Sequence, residues 1–143
     1  MKTKITRIDT ALPLPEYQSA GAVAFDLYSR EKMEIPPKEI RYVPTNLIIE
    51  VPPGYVLLVA ARSGLHKKGL SLANGVGIID QDFHGPEDEL KLVAYNFSDK
   101  PVVIEKGDRL GQGMFVPIEK VEWEEVAKIK DTSRGGFGST GTQ

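Results

Sequence analysis

Short runs of apolar and β-branched residues, each bounded by turn residues, recur along most of the chain. The turn signals include PPG, NFSDKP and EKGD, and few windows between glycines and prolines leave room for an ordinary helix. This spacing predicts an all-β fold, a barrel or sandwich of short strands. The predicted strands are 23–28 (VAFDLY), 40–43 (IRYV), 47–51 (LIIEV), 55–61 (YVLLVAA), 90–97 (LKLVAYNF) and 102–105 (VVIE).

Two of the runs carry further information about burial and periodicity. YVLLVAA has no polar position, which predicts a strand buried on both faces. IEKVEWEEVAKIK at 118–130 fits two patterns. Ile118, Val121 and Ile129 would share one side of a helix, whereas Val121 and Trp123 alternate with glutamates as in a strand. We predict a strand at the start of this window.

Length and composition limit the class of protein. The chain has 143 residues, the size of one domain, and 41% hydrophobic residues suffice for a core. We predict that residues 1–130 form this domain and that 131–143 form a flexible, glycine-rich C-terminal arm. A net charge of −2 argues against stable nucleic-acid binding. Without a stretch as apolar as a signal peptide or membrane span, the protein is expected to be soluble and cytoplasmic, with no membrane partner.

Cysteine and histidine usage restricts the possible chemistry. The chain contains no cysteine and two histidines, which excludes disulfides, thiolate catalysis and a typical zinc site. A metal ion in this protein is therefore expected to be a hard ion, held by carboxylates, phosphates and water.

The stretch NGVGIIDQDFHG at 74–85 has the most specific pattern. Its two carboxylates, Asp80 and Asp82, would point to one face of a strand. A carboxylate at the end of an apolar run can orient a water molecule for attack. The alternative is a hairpin whose acidic residues face solvent.

Two further stretches contain groups that a ligand could contact, and the first of them suits phosphate. In ARSGLHKKG, Arg62 and Ser63 precede Gly64, whose backbone N–H a ligand oxygen can approach closely; the alternative is a turn with a solvated basic rim. In KGDRLGQGMF, Gln112 lies between two glycines, a pattern found where a ligand approaches the backbone of a strand. The alternative there is an edge bulge.

Asp26 interrupts an apolar strand pattern in AVAFDLYS. A charge there is costly to bury unless it is paired or near a metal ion. A salt bridge is the commoner outcome for such a residue. The end of the chain, RGGFGSTGTQ from Arg134, lacks the P-loop and dinucleotide patterns and is predicted to be disordered in the free protein. Its groups nevertheless suit a nucleotide, with Phe137 able to stack on a flat ring and Ser139 able to contact phosphate.

The five motifs AFDLYS, ARSGL, NGVGIIDQDFHG, GDRLGQ and GGFGSTG resemble, in this order, those of the trimeric dUTP diphosphatase (dUTPase) family. The resemblance implies a jelly-roll, or distorted β-barrel, of short strands and a homotrimer with active sites at the subunit interfaces. It implies hydrolysis of dUTP to dUMP and pyrophosphate with Mg²⁺. This reaction limits uracil incorporation into DNA and supplies dUMP for dTMP synthesis.

The resemblance also assigns roles to residues. Asp80 would activate the water that attacks the α-phosphorus, and Asp26 would hold Mg²⁺ through its water shell. The arm would close over the nucleotide, with Phe137 on uracil and Arg134 at the γ-phosphate. The implied substrate-binding residues are Arg62, Ser63, Gly64, Asn74, Gly77, Ile78, Ile79, Phe83, Lys91, Gln112, Arg134, Phe137, Gly138 and Ser139, of which Lys91 would be an additional phosphate contact.

The chain departs from the family pattern in several places. Phe83 stands where the family usually has Tyr; its ring would still pack under the deoxyribose and exclude a 2′-hydroxyl. Arg134 precedes Phe137 by three residues instead of five, and Ala61 replaces a usual proline. The acidic run at 87–89 reads as an enlarged, solvated hairpin tip.

Two rival functions fit a similar scaffold less well. A dCTP deaminase would need a general base over C4 of the pyrimidine, and the terminal GGFGSTG arm argues against it. A non-catalytic nucleotide-binding protein would need neither Asp80 nor the arm, and both are present.

Overall fold

The computed structural model describes residues 1–138, and its regular secondary structure consists almost entirely of short strands joined by turns and irregular segments. A single turn of 3₁₀ helix, Leu65–Lys68, is the helical element within these residues, and no helix there is long and apolar enough to cross a membrane. The strands are β1 (Ile5–Arg7), β2 (Phe25–Tyr28), β3 (Met33–Ile35), β4 (Ile40–Pro44), β5 (Leu47–Ile49), β6 (Tyr55–Ala61), β7 (Leu70–Leu72), β8 (Gly77–Ile79), β9 (Lys91–Asn96), β10 (Val102–Ile104) and β11 (Arg109–Pro117).

The strands form four antiparallel sheets. The largest has the order β2-β11-β6-β8, and a second has the order β4-β9-β7. Two further pairs, β1-β5 and β10-β3, complete the architecture. Neighbours in these sheets are mostly distant in sequence, as in a jelly roll, so the predicted all-β class and jelly-roll-like fold are confirmed.

One apolar core lies between the sheets. Strand β6 contributes Leu57 and Val59 to it. The other core members are Phe25, Leu27, Ile35, Val43, Leu47, Ile49, Val51, Leu65, Leu70, Leu90, Leu92, Ala94, Ile104 and Leu110. The strand predicted at 55–61 has the observed bounds of β6, but the prediction that both of its faces are buried is wrong for the single chain. Alternate side chains of a strand point to opposite faces, and Val56, Leu58 and Ala60 are only half-buried on the outer face.

The strand predicted at the start of 118–130 is absent. Strand β11 ends at Pro117, and residues 118–138 follow as irregular chain that is almost entirely exposed. Trp123 is 92% exposed. An extended segment needs a neighbouring strand to pair its backbone groups, and β-type alternation alone does not supply one.

Candidate functional site

A small cavity of about 130 Å³ gathers five of the predicted site residues. Gly75 makes the preceding turn with φ 71°, and its N–H donates to the carbonyl of Leu72 at 3.0 Å. This positive φ favours glycine. A Cβ on Gly77 would lie 3.3 Å from the Cβ of Val59, so glycine also allows β8 to pack closely on β6. The predicted residues that line the cavity are Asn74, Gly77, Ile78, Ile79 and Lys91.

Asp80 follows β8 directly and lies in a larger groove of about 860 Å³. Ile78 and Ile79 line both this groove and the small cavity, so Asp80 is adjacent to the cavity along the chain. Asp82 lines the same groove, and both carboxylates are exposed. Phe83, 38% exposed, closes a turn in which its N–H donates to the carbonyl of Asp80 at 3.5 Å.

Asp26 is buried and paired with two arginines. Its Oδ1 lies 2.9 Å from Nε of Arg62, and its Oδ2 lies 3.3 Å from Nη1 of Arg109. The salt-bridge alternative for Asp26 therefore holds. This salt bridge lies inside the predicted site, because the partner at 2.9 Å is Arg62, which the sequence predicts to bind phosphate. Arg109 has no role in the sequence-based assignment, although it is part of the quoted motif GDRLGQ.

The turn after β6 exposes the other predicted phosphate ligands. The backbone N–H of Arg62 donates to the carbonyl of Leu110 at 3.1 Å, and Leu65 donates to the carbonyl of Arg62 at 3.0 Å. These bonds fix a tight turn in which Ser63 and Gly64 face solvent. A ligand oxygen can therefore approach the Ser63 hydroxyl and the Gly64 backbone.

Gln112 lies next to Asp26 in the four-stranded sheet. The sheet pairs Gln112 with Asp26 on one side and with Ala60 on the other. The Gln112 side chain lies on the outer face and donates to the carbonyl of Ala61 at 3.0 Å. We refer to Asp26, Arg62, Arg109 and Gln112 as the Asp26 cluster.

The two glycines that flank Gln112 serve the core. A Cβ on Gly113 would lie 2.7 Å from the ring of Phe25, and one on Gly111 would lie 2.8 Å from a methyl group of Leu92. Close approach of a ligand is therefore not needed to explain them. Strand β11 lies between β2 and β6, so the alternative of a bulge at a sheet edge is wrong in its position, although the pairing of β11 with β2 has a register shift between Arg109 and Gly111.

Asp80 and the Asp26 cluster lie at opposite ends of the outer face of one sheet. Ile79 pairs with Leu57, so Asp80 extends the register to the level of Val56, whereas Gln112 pairs with Ala60. Strand rise and strand spacing then place the Cα atoms of Asp80 and Gln112 roughly 16 Å apart.

The outer face between these two groups is apolar. Paired positions on β6, β8 and β11 share a face, and the residues on it are Val56, Leu58, Ile78, Met114 and Val116. Ile78 is 70% exposed. A contiguous apolar surface of this kind is typical of an interaction site.

The loop between β8 and β9 is held at its far end by a buried ion pair. Nε and Nη2 of Arg30 donate to Glu89 at 2.8 and 3.0 Å, and the N–H of Asn46 donates to Glu89 at 2.8 Å. The hydrogen bonds with Glu89 raise the pKa of Arg30. The prediction of a solvated acidic tip is wrong for Glu89, because its partners come from elements distant in sequence; Glu87 is exposed and Asp88 accepts a hydrogen bond from the N–H of Gly85.

The described part of the C-terminal arm lies apart from these groups. Arg134 and Phe137 are exposed, and among the contacts between described residues Nη1 of Arg134 donates to the carbonyl of the adjacent Gly135 at 3.4 Å. Phe137 and Gly138 have φ values of 50° and 85°. The predicted site residue Ser139 lies outside the described residues.

Comparison with known proteins gives a consistent family assignment. Residues 10–141 match the family model described as dUTPase. A protein of Dictyoglomus turgidum, named deoxyuridine 5'-triphosphate nucleotidohydrolase, is 42% identical over 148 aligned positions, which cover 99% of each chain. The family match spans all five motifs.

Solved structures show the same similarity. The dUTPase from Streptococcus mutans aligns with a TM-score of 0.76 at 34% identity, covering 83% of this chain and 98% of the other. The Staphylococcus bacteriophage 80alpha dUTPase with dUPNHPP aligns with a TM-score of 0.85 at 25% identity, covering 99% of both chains.

Proposed function

The chain belongs to the dUTPase family and is a dUTP diphosphatase, which hydrolyses dUTP to dUMP, and we propose that an Asp80-activated water attacks the α-phosphorus and releases pyrophosphate. The observation that carries this assignment is the position of Asp80 at the end of β8. The two residues before it line the small cavity, so a base held there places the sugar and α-phosphate toward the carboxylate. The reaction limits uracil incorporation into DNA and supplies dUMP for dTMP synthesis in the cytoplasm.

The small cavity suits a pyrimidine base. Its wall is formed by the turn at Asn74 and by the backbone of Gly77, Ile78 and Ile79, whose fixed polar groups can pair with the O4 and N3–H edge of uracil. Cytosine would oppose donor to donor at this edge, and a site with fixed polar groups rejects such a pattern strongly. Phe83, just beyond Asp80, supplies the ring under the deoxyribose. Lys91 lines this cavity, and its role as an additional phosphate contact rests on the family resemblance.

The Asp26 cluster binds the phosphates and the metal ion. Arg62 and the exposed Ser63–Gly64 turn offer donors for phosphate oxygens, with Gln112 beside them. Within the described residues, no three carboxylate or histidine side chains are grouped to hold a metal ion directly. A single buried carboxylate whose oxygens are already paired with two arginines fits water-mediated contact with Mg²⁺, which keeps most of its water. Bound Mg²⁺ neutralises charge on the triphosphate.

The separation of Asp80 from the Asp26 cluster supports an active site shared between copies of the chain. A carboxylate that activates a water must lie within hydrogen-bonding distance of it, next to the phosphate under attack. The roughly 16 Å between Asp80 and Gln112 along one sheet does not meet this condition within one chain. A homotrimer in which the apolar outer face forms the contact would bring Asp80 of one copy to the Asp26 cluster of another.

The arm completes this site. We assign Phe137 to stacking on uracil and Arg134 to the γ-phosphate, with Gly138 and Ser139 wrapping the phosphates as the arm closes. Closure excludes water other than the attacking one and aligns the triphosphate.

Pyrophosphate release from dUTP with Mg²⁺ tests the assignment directly. We expect rapid turnover by the wild-type protein. The Asp80→Asn variant should lose about a thousandfold or more in kcat while still binding dUTP, because it keeps the shape of the side chain but cannot take the proton. Full activity of Asp80→Asn would overturn the assignment.

A further inference from the structure

Gln81 forms a contact that replaces a backbone hydrogen bond at the end of β8. Its side-chain Nε2 donates to the carbonyl of Tyr55 at 3.0 Å. Strand β8 pairs Gly77 with Val59 and Ile79 with Leu57, so the same register continued would set Gln81 opposite Tyr55. In a regular ladder the backbone N–H of Gln81 would donate to the Tyr55 carbonyl. Here the side chain of Gln81 donates to that carbonyl instead.

The other neighbour of Tyr55 cannot supply this donor. Strand β11 pairs Pro117 with Tyr55, but the N–H of Ile118 donates to the carbonyl of Gly54 at 2.9 Å, so hydrogen-bonded pairs alternate and the Tyr55 carbonyl points away from β11, toward β8. Tyr55 is half-buried, and a buried carbonyl needs a partner. The side chain of Gln81 meets this need while its main chain leaves the sheet.

The replacement of a main-chain hydrogen bond by a side-chain hydrogen bond affects Asp80, which lies between Ile79 and Gln81. Ile79 is held by the ladder and Gln81 by its side chain, so the backbone of Asp80 is fixed on both sides. Beyond this point the chain can leave the sheet and turn, as the bond from the N–H of Phe83 to the carbonyl of Asp80 indicates. A regular ladder would hold residues 80 and 81 flat against β6.

We propose that Gln81 is a positioning residue that sets the place of the Asp80 carboxylate through its bond to the Tyr55 carbonyl. The inference rests on the proposed function of Asp80 and adds a residue that touches no substrate. Its effect is on the orientation of the attacking water, and therefore on kcat more than on KM.

Gln81→Met tests this role because methionine keeps the length of the side chain and removes the donor. We expect kcat for dUTP to fall about 10- to 100-fold, the range that a small misplacement of a reacting group costs, with KM within about twofold of wild type. Gln81→Lys, which restores a donor at similar reach, should recover part of kcat. Gln18→Met, at an exposed glutamine elsewhere, is the matched control and should match wild type.

Combining the change with Asp80→Asn separates the positioning role from a structural one. If Gln81 acts through Asp80, Gln81→Met lowers kcat in the wild-type background and adds little in the Asp80→Asn background. Equal losses of kcat in both backgrounds would overturn the proposal. So would an unchanged kcat in Gln81→Met, or a loss of kcat/KM that comes entirely from a rise in KM. An Asp80→Asn protein with normal kcat would instead overturn the proposed function on which it rests.

Discussion

Asp26 Oδ1 lies 2.9 Å from Nε of Arg62, which joins the acid of the first motif to the arginine of the second. The acid therefore orients the arginine that we propose as a phosphate ligand, and it is also the proposed contact for hydrated Mg²⁺. Arg109 approaches the other carboxylate oxygen, so a single buried charge orients two guanidinium groups.

Asp26→Asn should weaken the binding of both Mg²⁺ and phosphate. Asparagine keeps the size of the side chain but loses the charge that attracts the arginines and a metal-bound water. We expect the Mg²⁺ concentration for half-maximal dUTP hydrolysis to rise about tenfold, as for loss of one charge-assisted hydrogen bond. Glu34→Gln, at an exposed position of β3, is the control. An unchanged Mg²⁺ titration would contradict a metal-binding role for Asp26.

Arg30→Met should destabilise the fold. The change leaves the buried Glu89 with no cationic partner, and we expect a loss of about 3 kcal/mol in the free energy of unfolding. This is the low end for a broken buried pair, because the Arg30 side chain keeps 29% of its surface exposed. Urea denaturation at one fixed protein concentration measures it.

The exposed pair of Lys32 and Glu105, 3.6 Å apart, provides the control for this experiment. Lys32→Met should cost less than about 1 kcal/mol, as surface ion pairs do. Equal losses in the two variants would show that burial of Glu89 adds nothing to the stability of its pair.

Phe83→Ala should relax discrimination against ribonucleotides. Removing the ring opens space for a 2′-hydroxyl, and we expect the ratio of kcat/KM for dUTP over UTP to fall about tenfold or more. The wild-type protein should strongly prefer dUTP although it lacks the phenol oxygen. Phe97→Ala is the matched control. Phe97 is 42% exposed and follows the last residue of β9, whereas Phe83 lies in the loop before β9. Comparable wild-type rates with UTP would refute the assignment of Phe83.

Inactive variants of different halves of the site should complement one another. If each site takes Asp80 from one copy and Arg62 from another, random trimers refolded from Asp80→Asn and Arg62→Met chains contain intact sites. We expect about one quarter of wild-type activity from an equal mixture, since each of two neighbouring positions has an even chance of the required variant. Activity no greater than the sum of the separate variants would exclude a shared site.

Leu58→Glu should disrupt assembly. Leu58 lies at the centre of the apolar outer face, paired with both Met114 and Ile78, and a carboxylate there would be buried without a partner in a trimer. We expect sedimentation to show a mass near that of one chain for Leu58→Glu and a mass near that of three chains for the wild-type protein. Tyr42→Glu, on an exposed edge strand, should keep the wild-type mass. A trimeric Leu58→Glu protein would place the interface elsewhere.

The sequence by itself determined the class of fold, the bounds of strand β6 and the chemistry available. Tyr55–Ala61 was predictable because seven consecutive apolar residues between turn signals are a local property. The order of the five motifs indicated the family, and the family indicated the reaction. The three-residue strands β1, β3 and β7 were missed because they are too short to show a period, whereas β5 and β10, of the same length, lie within the apolar runs at 47–51 and 102–105. Residues 118–130 were misread because alternation does not reveal whether a pairing strand exists.

Only the tertiary structure decided which groups meet. Arg30 and Glu89 are 59 positions apart, and no local pattern distinguishes a buried glutamate from a solvated acidic tip. The same holds for Asp26 with Arg62 and for Gln81 with the Tyr55 carbonyl. Strand register, set by contacts across the whole core, placed Asp80 at one end of a sheet face and Gln112 at the other. Such partners depend on where distant segments pack, because burial and hydrogen bonding act between neighbours in space, whatever their separation along the chain.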